Sequence, residues 1–155
     1  MRILVVTISD RASQGGYEDL SGPEIEKILL ARVPDVEVSR SVVSDEPSQI
    51  EGALLKGMGA DVILTTGGTG IGPRDNTPDV TRRLCEREVP GIAECLRLKS
   101  LEQTPQAMLS RAFAGTKGDT LIVNLPGSVK GVRFCTELLL PVLSHAKEMM
   151  AGKGH

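Results

Sequence analysis

Short runs of apolar, β-branched residues alternate along this chain with stretches whose apolar residues recur at helical spacing. Residues 3–8 (Ile-Leu-Val-Val-Thr-Ile) predict a strand and residues 22–31 a helix. Residues 36–43 alternate as a partly exposed strand does, and Pro47 followed by Ile50, Leu54, Leu55 and Met58 suits the next helix. Residues 61–66 read as a buried strand; Thr77, Pro78 and Asp79 then open a helix as N-cap, first-turn proline and acidic first turn. Helical segments follow at 92–101 and 105–113, a last strand at 120–124, and a long helix over 132–150 with Pro141 near its middle. This alternation specifies an α/β fold: one domain over residues 1–155, with a mostly parallel sheet covered by helices on both faces, where right-handed crossovers put them. A chain of about 150 residues hides roughly 68–70% of its unfolded surface, so a core needs no disulfide or metal staple.

Charge and composition remove several function classes. Eighteen Lys and Arg against 20 Asp and Glu give a net charge of −2, which opposes nucleic-acid binding through a broad basic face. Tyr17, Phe113 and Phe134 are the only aromatic residues, too few for a base-stacking platform. No apolar run approaches the roughly 18 residues of a membrane span, so the sequence reads as cytoplasmic. Cys85, Cys95 and Cys135 lack metal-site or disulfide spacing and are expected to be buried small hydrophobes.

Glycine and proline concentrate where strands end, and in open α/β sheets the ligand crevice lies beyond the carboxyl ends of the strands. The predicted strands deliver Ser9-Asp10-Arg11, Ser44-Asp45, Thr65-Thr66-Gly67-Gly68-Thr69-Gly70, and Asn124 with Pro126-Gly127-Ser128 to that edge. The 67–72 loop is an expected anion site, because glycine lets backbone N–H groups approach phosphate oxygens. It is neither a Walker A loop, since Pro73-Arg74 stands where Lys-Ser/Thr is required, nor a dinucleotide fingerprint. Asp45 and Asp75 come from separate loops and could meet over the same phosphates, with Mg²⁺ between them, as Mg²⁺ needs only one or two carboxylates plus substrate oxygens. Asp45 has an alternative as cap of the helix beginning at Pro47. Asp79 is assigned to structure, and Arg11, Arg74 and Arg111 default to solvated surface residues. His145 and His155 lie in no catalytic pattern, and no nucleophile elbow is present, which favours metal-assisted in-line transfer.

At these residues the sequence resembles the MogA/MoaB family of molybdenum cofactor biosynthesis, whose marker is an apolar strand leading into T-G-G-T-G-x-x-x-x-D. Residues 63–75 read Ile-Leu-Thr-Thr-Gly-Gly-Thr-Gly-Ile-Gly-Pro-Arg-Asp. The likeness continues through Asn76-Thr-Pro-Asp79, Glu88-Val-Pro-Gly91, residues 100–105, Leu109-Ser-Arg111, Ala114-Gly115, residues 121–128 and the opening Ser9-Asp-Arg-Ala-Ser13. The resemblance implies a molybdopterin-binding fold and an adenylyltransferase using ATP, molybdopterin and Mg²⁺, with release of pyrophosphate. It gives Asp45 and Asp75 the catalytic, metal-linked roles. It places Ser9, Asp10, Thr66, Gly67, Gly68, Thr69, Gly70, Ser100, Ser110, Asn124, Pro126, Gly127 and Ser128 around nucleotide and pterin. A homotrimer and hand-over to a molybdate-insertion protein are implied as well. Two alternatives stay open: a non-catalytic, MoaB-like pterin-binding protein, and a CinA-like dinucleotide pyrophosphohydrolase. The presence of both Asp45 and Asp75 favours catalysis.

Overall fold

The computed structural model describes residues 1–153, so His155 lies outside the described residues. Strands β1 (Arg2–Ile8), β2 (Glu37–Val43), β3 (Val62–Thr66), β4 (Arg87–Glu88), β5 (Ala114–Lys117) and β6 (Thr120–Leu125) form one sheet in the order β2-β1-β3-β6-β5-β4. The first four in that order are parallel, while β5 and β4 add an antiparallel edge. The helices are α1 (Asp10–Ser13), α2 (Ser21–Arg32), α3 (Pro47–Lys56), α4 (Thr77–Leu84), α5 (Pro90–Ser100) and α6 (Val129–Met150), with a 3-10 turn at Pro105–Leu109. None of them is long and apolar enough to cross a membrane, among the described residues.

The pleat of β1 divides its apolar residues between two cores. Ile3 and Val5 pack with Ile25 and Leu29 of α2 and with Val132, Leu139 and Leu143 of α6. Val6 and Ile8 face the opposite side, with Ile50 and Leu54 of α3 and Val80 of α4. β3 is buried over its whole length, as a strand covered on both faces must be. Because β2 lies to one side of β1 and β3 to the other, the chain reverses its direction of winding between β1 and β3. Their carboxyl ends are a topological switch point, where such sheets open a crevice.

The structure departs from the sequence expectations in a few places. The helix expected over 105–113 shrinks to the 3-10 turn, because Asn124 binds both backbone groups of Phe113: its N–H donates to Phe113 O at 2.9 Å and its Oδ1 accepts from Phe113 N at 3.1 Å. That pairing draws the segment toward the sheet edge. Asn76, not Thr77, precedes α4, and the Thr77 hydroxyl donates to Gly67 O at 2.9 Å. α6 begins earlier, where Ser128 Oγ accepts from Gly131 N at 3.1 Å as an N-cap. Pro141 falls on its exposed side. Of the cysteines expected to be buried, only Cys135 is; Cys85 is half-buried and Cys95 exposed.

Candidate functional site

At the switch point the loops after β1 and β2 bind one another reciprocally. Asp10 N donates to Asp45 Oδ2 at 2.8 Å, and Asp45 N donates to Asp10 Oδ1 at 3.0 Å. Asp45 therefore does not cap α3; Glu46 stands at that position, and α3 has no side-chain cap. Arg74 closes the group with a two-pronged contact to Asp10 (2.9 and 3.0 Å) and a 2.6 Å contact to Glu46, so it is an exposed surface residue as expected, but an ion-paired one. Its guanidinium holds the Asp10 carboxyl below the usual range. Burial pushes the Asp45 carboxyl above its ordinary value, and the like charges of Asp10 and Asp75 add to the rise against the Asp10 N–H and Arg74. A carboxylate crowded in this way is relieved by a bound cation.

The 67–72 loop packs against both Asp45 and Asp75. Gly67 and Gly68 have φ of 98° and 65°, the left-handed region that glycine adopts without strain. A Cβ at Gly67 would collide with the carbonyl of Ile8. One at Gly68 would stand 3.1 Å from Asp45 Oδ1, and one at Gly70 would stand 2.8 Å from Asp75 Oδ2. Each carboxylate spends one oxygen on the backbone, Asp45 Oδ2 on Asp10 N and Asp75 Oδ2 on Gly72 N at 2.8 Å. Oδ1 of each has no partner among the described residues. A divalent cation with oxygen preference fits such a pair only if phosphates and water supply its remaining ligands. No group of three or more His, Cys, Asp or Glu is placed to hold a metal alone, among the described residues.

Arg111 fixes the Gly70–Asp75 end of the loop. Its Nε donates to Gly70 O at 2.8 Å, Nη2 to Asp75 O, and its two Nη atoms grip Asp79 at 3.0 Å each. Asp79 is thereby structural, as expected, but through Arg111 as well as through its place in the first turn of α4. Arg11 stacks on the Tyr17 ring at 4.9 Å.

On the other side of the same loop lies a cavity of about 350 Å³. Thr69, Gly70, Ser100, Ser110, Asn124, Pro126, Gly127 and Ser128 line it, whereas Ser9, Asp10, Asp45, Thr66, Gly67, Gly68 and Asp75 do not. The residues singled out from sequence thus divide into two groups that share the loop. Two of them work by positioning others. Thr66 donates to Pro126 O at 2.7 Å, holding the 126–128 turn with Ser21, which donates to Gly127 O at 2.8 Å. Asn124 is 1% exposed, and its amide donates to Thr65 Oγ1 and Thr81 Oγ1 at 2.9 and 3.0 Å while Oδ1 takes the Phe113 N–H. Leu96, Leu109 and Phe134 give the cavity apolar walls, and Arg97 and Lys130 its charges. Sequence reading missed both cations. A larger groove of about 730 Å³ along β2 and α3 contains none of the residues to which the sequence points.

Residues 4–145 match the profile of a family described as "Probable molybdopterin binding domain". The chain is 40% identical over 156 residues to a molybdopterin adenylyltransferase of Helicobacter pylori strain J99, covering 98% of this chain and 89% of that protein. The molybdopterin biosynthesis enzyme MoaB of Thermus thermophilus superposes with a TM-score of 0.89 at 46% identity, covering 98% of this chain and 97% of that one. A MogA structure superposes with a TM-score of 0.91 at 39% identity over 97% of this chain and 99% of that chain.

Proposed function

The chain belongs to the MogA/MoaB family of molybdenum cofactor biosynthesis, and on that footing we propose that it is a molybdopterin adenylyltransferase. It transfers AMP from ATP to the terminal phosphate of molybdopterin and releases pyrophosphate. The reading is supported most by one arrangement: Asp45 and Asp75 against one side of a loop whose Gly68 and Gly70 leave no room for a Cβ unless the Thr77 or Asp75 side chain moves, with an acid-free cavity on the loop's other side.

The residues act by position and charge rather than by covalent chemistry. An oxygen of the pterin phosphate attacks the α-phosphorus of ATP, the bond from that phosphorus to the bridging oxygen breaks, and negative charge gathers on the phosphoryl oxygens. The N–H groups of residues 68–70, which donate to no protein acceptor among the described residues, are free to donate hydrogen bonds to those oxygens, while that of Gly67 is spent on Leu125 O at 3.3 Å. Mg²⁺ bound at Asp45 and Asp75 would neutralise phosphate charge and fix the triphosphate in line. Arg74 and Arg111 keep the two carboxylates and the loop in register, Arg74 through Asp10 and Arg111 through Gly70 and Asp75. Homotrimeric assembly, work in the cytoplasm and hand-over to a molybdate-insertion protein belong to the same reading and rest on the family alone.

Purified protein with ATP, Mg²⁺ and molybdopterin should release pyrophosphate in step with adenylated pterin, and with ATP and Mg²⁺ alone should release little AMP. Pyrophosphate release indifferent to molybdopterin, or steady cleavage of ADP-ribose, would overturn the transferase in favour of hydrolysis. Tight pterin binding without turnover would make the protein a carrier.

A further inference from the structure

The cavity is electrostatically unlike its surroundings. Arg97 of α5 and Lys130 in the first turn of α6 are the only charged residues in its wall among the described residues, and neither is paired with a carboxylate there. Three arginines elsewhere around the site are neutralised, Arg74 by Asp10 and Glu46, Arg111 by Asp79 and Arg133 by Glu24, while Arg11 stacks on Tyr17 away from the cavity wall. In a chain of net charge −2, two cations without an ion-pair partner line one hollow, although Arg97 also borders a neighbouring groove that holds Asp79, Glu88 and Glu94. Arg97 is anchored through Nη1 alone, to Ser110 O at 3.3 Å and Ala112 O at 2.9 Å, which leaves its remaining donors for a ligand. Lys130 sits where the helix dipole disfavours positive charge, a local conflict that a bound anion would offset.

We propose that Arg97 and Lys130 form a metal-independent anion subsite for the phosphomonoester of the acceptor, leaving the Asp45–Asp75 flank to the nucleotide. The inference rests on the adenylyltransferase reading and assigns its two anionic substrates to different sides of one loop. A phosphate brought against Asp45 and Asp75 meets like charge and needs a cation between, which suits a metal-carrying triphosphate. A phosphomonoester dianion is matched in charge by one guanidinium and one ammonium without any metal. Leu96, Leu109 and Phe134 offer its ring system apolar surface. The two sides meet at Gly70, which lines the cavity and lies against Asp75, so a phosphate oxygen there borders both.

The test is equilibrium binding of molybdopterin in EDTA, followed by pterin fluorescence, beside binding of ATP with Mg²⁺, for wild type, Lys130→Glu and Arg97→Gln. Wild type should bind molybdopterin without metal, and more weakly as salt rises. Lys130→Glu should weaken that binding about tenfold, the scale of one charge-assisted contact, while ATP affinity stays within about twofold. Lys130 is exposed and takes part in no packing of the core, so this variant carries the test even if Arg97→Gln disturbs the 110–112 segment. Unchanged molybdopterin affinity in Lys130→Glu, or an equal loss for ATP, would overturn the subsite and leave the transferase standing. Wild-type binding that requires Mg²⁺ would overturn its metal independence alone. Failure to bind molybdopterin under either condition would sink the transferase reading and the subsite with it.

Discussion

The two flanks of the 67–70 loop differ in charge and in what secures them. On the Asp45–Asp75 flank, carboxylates are crowded together and held by backbone N–H groups and by Arg74 and Arg111. On the cavity flank there are two cations, no acid, and apolar walls. One flank has an electrostatic demand for a cation and the other for an anion, and only a strip of glycine backbone separates them. On the proposed reading, metal dependence belongs to one flank alone, and the cavity recognises its ligand without it.

The largest effect that would break this comparison is on chemistry. Asp75→Asn should lower kcat of adenylyl transfer by about 10²–10³-fold, the usual scale for losing one preorganised electrostatic group, with molybdopterin affinity in EDTA close to wild type. Single-turnover transfer and fluorescence binding measure the two halves. Turnover within a few fold of wild type at saturating Mg²⁺ would remove Asp75 from the machinery, and a parallel loss of pterin affinity would erase the distinction between the flanks.

Asn124 lines the cavity, yet its polar atoms serve the scaffold of both flanks. Asn124→Leu strands the Phe113 N–H and removes partners from the Thr65 and Thr81 hydroxyls, all buried, so it should destabilise the protein by about 3 kcal/mol in a denaturant titration. A midpoint near wild type with ligand binding abolished would make Asn124 a ligand contact instead. Gly68→Val comes next: a residue held at φ 65° with its Cβ against Asp45 and Thr77 should cost about 1–3 kcal/mol and block ATP binding. Normal ATP affinity by calorimetry would reduce the loop to a turn.

Legibility in the sequence follows the same division. The four parallel strands carried β-branched runs, and the carboxylate flank was readable because glycine spacing and acidic residues at strand ends are local features. The antiparallel edge was not: Ala114–Lys117 has no apolar alternation, and its place depends on Asn124 reaching Phe113 from the neighbouring strand. Arg74 and Arg111 read as surface cations because their acidic partners are distant in sequence, 64 residues for Asp10 and 32 for Asp79. Arg97 and Lys130 stayed hidden for the opposite reason, since what distinguishes them is that they form no ion pair and share a cavity wall without an acid, which only the folded chain reveals. Lys130 did offer one local signal, a cation in the first turn of a helix.

The Arg111–Asp79 pair sharpens the comparison through pH. The Arg111 guanidinium holds the Asp79 carboxyl below the usual carboxylate range, with burial opposing. A folded-state value below the unfolded one means that the pair's stabilisation is fully present above the unfolded value, about 3.9, and is lost as pH falls through the folded one. Since both side chains are more than a third exposed, at 39% and 54%, the contribution should not exceed about 1 kcal/mol. The difference in melting temperature between wild type and Asp79→Asn should accordingly be constant above about pH 5 and shrink toward about pH 3. A difference that grows on acidification would show that the pair does not secure this flank.

The smallest effect has the most unusual sign. Lys130 stands in the first turn of α6, where unsatisfied backbone N–H groups carry the positive end of the helix dipole and only Ser128 caps them. Each charge placed there is worth about 0.3–1 kcal/mol, favourable for an anion and unfavourable for a cation. Lys130→Glu exchanges the wrong sign for the right one on an exposed residue, so it should raise the melting temperature slightly while it weakens molybdopterin binding. Lys130→Gln should fall between the two in both measurements, and added salt should shrink the stability gain, because surface charge effects are screened. A substitution that stabilises the fold and harms binding identifies a position kept against stability for the sake of a ligand. If Lys130→Glu instead lowers the melting temperature, the lysine is making a structural contact, and the conflict with the dipole no longer points to an anion on the cavity flank.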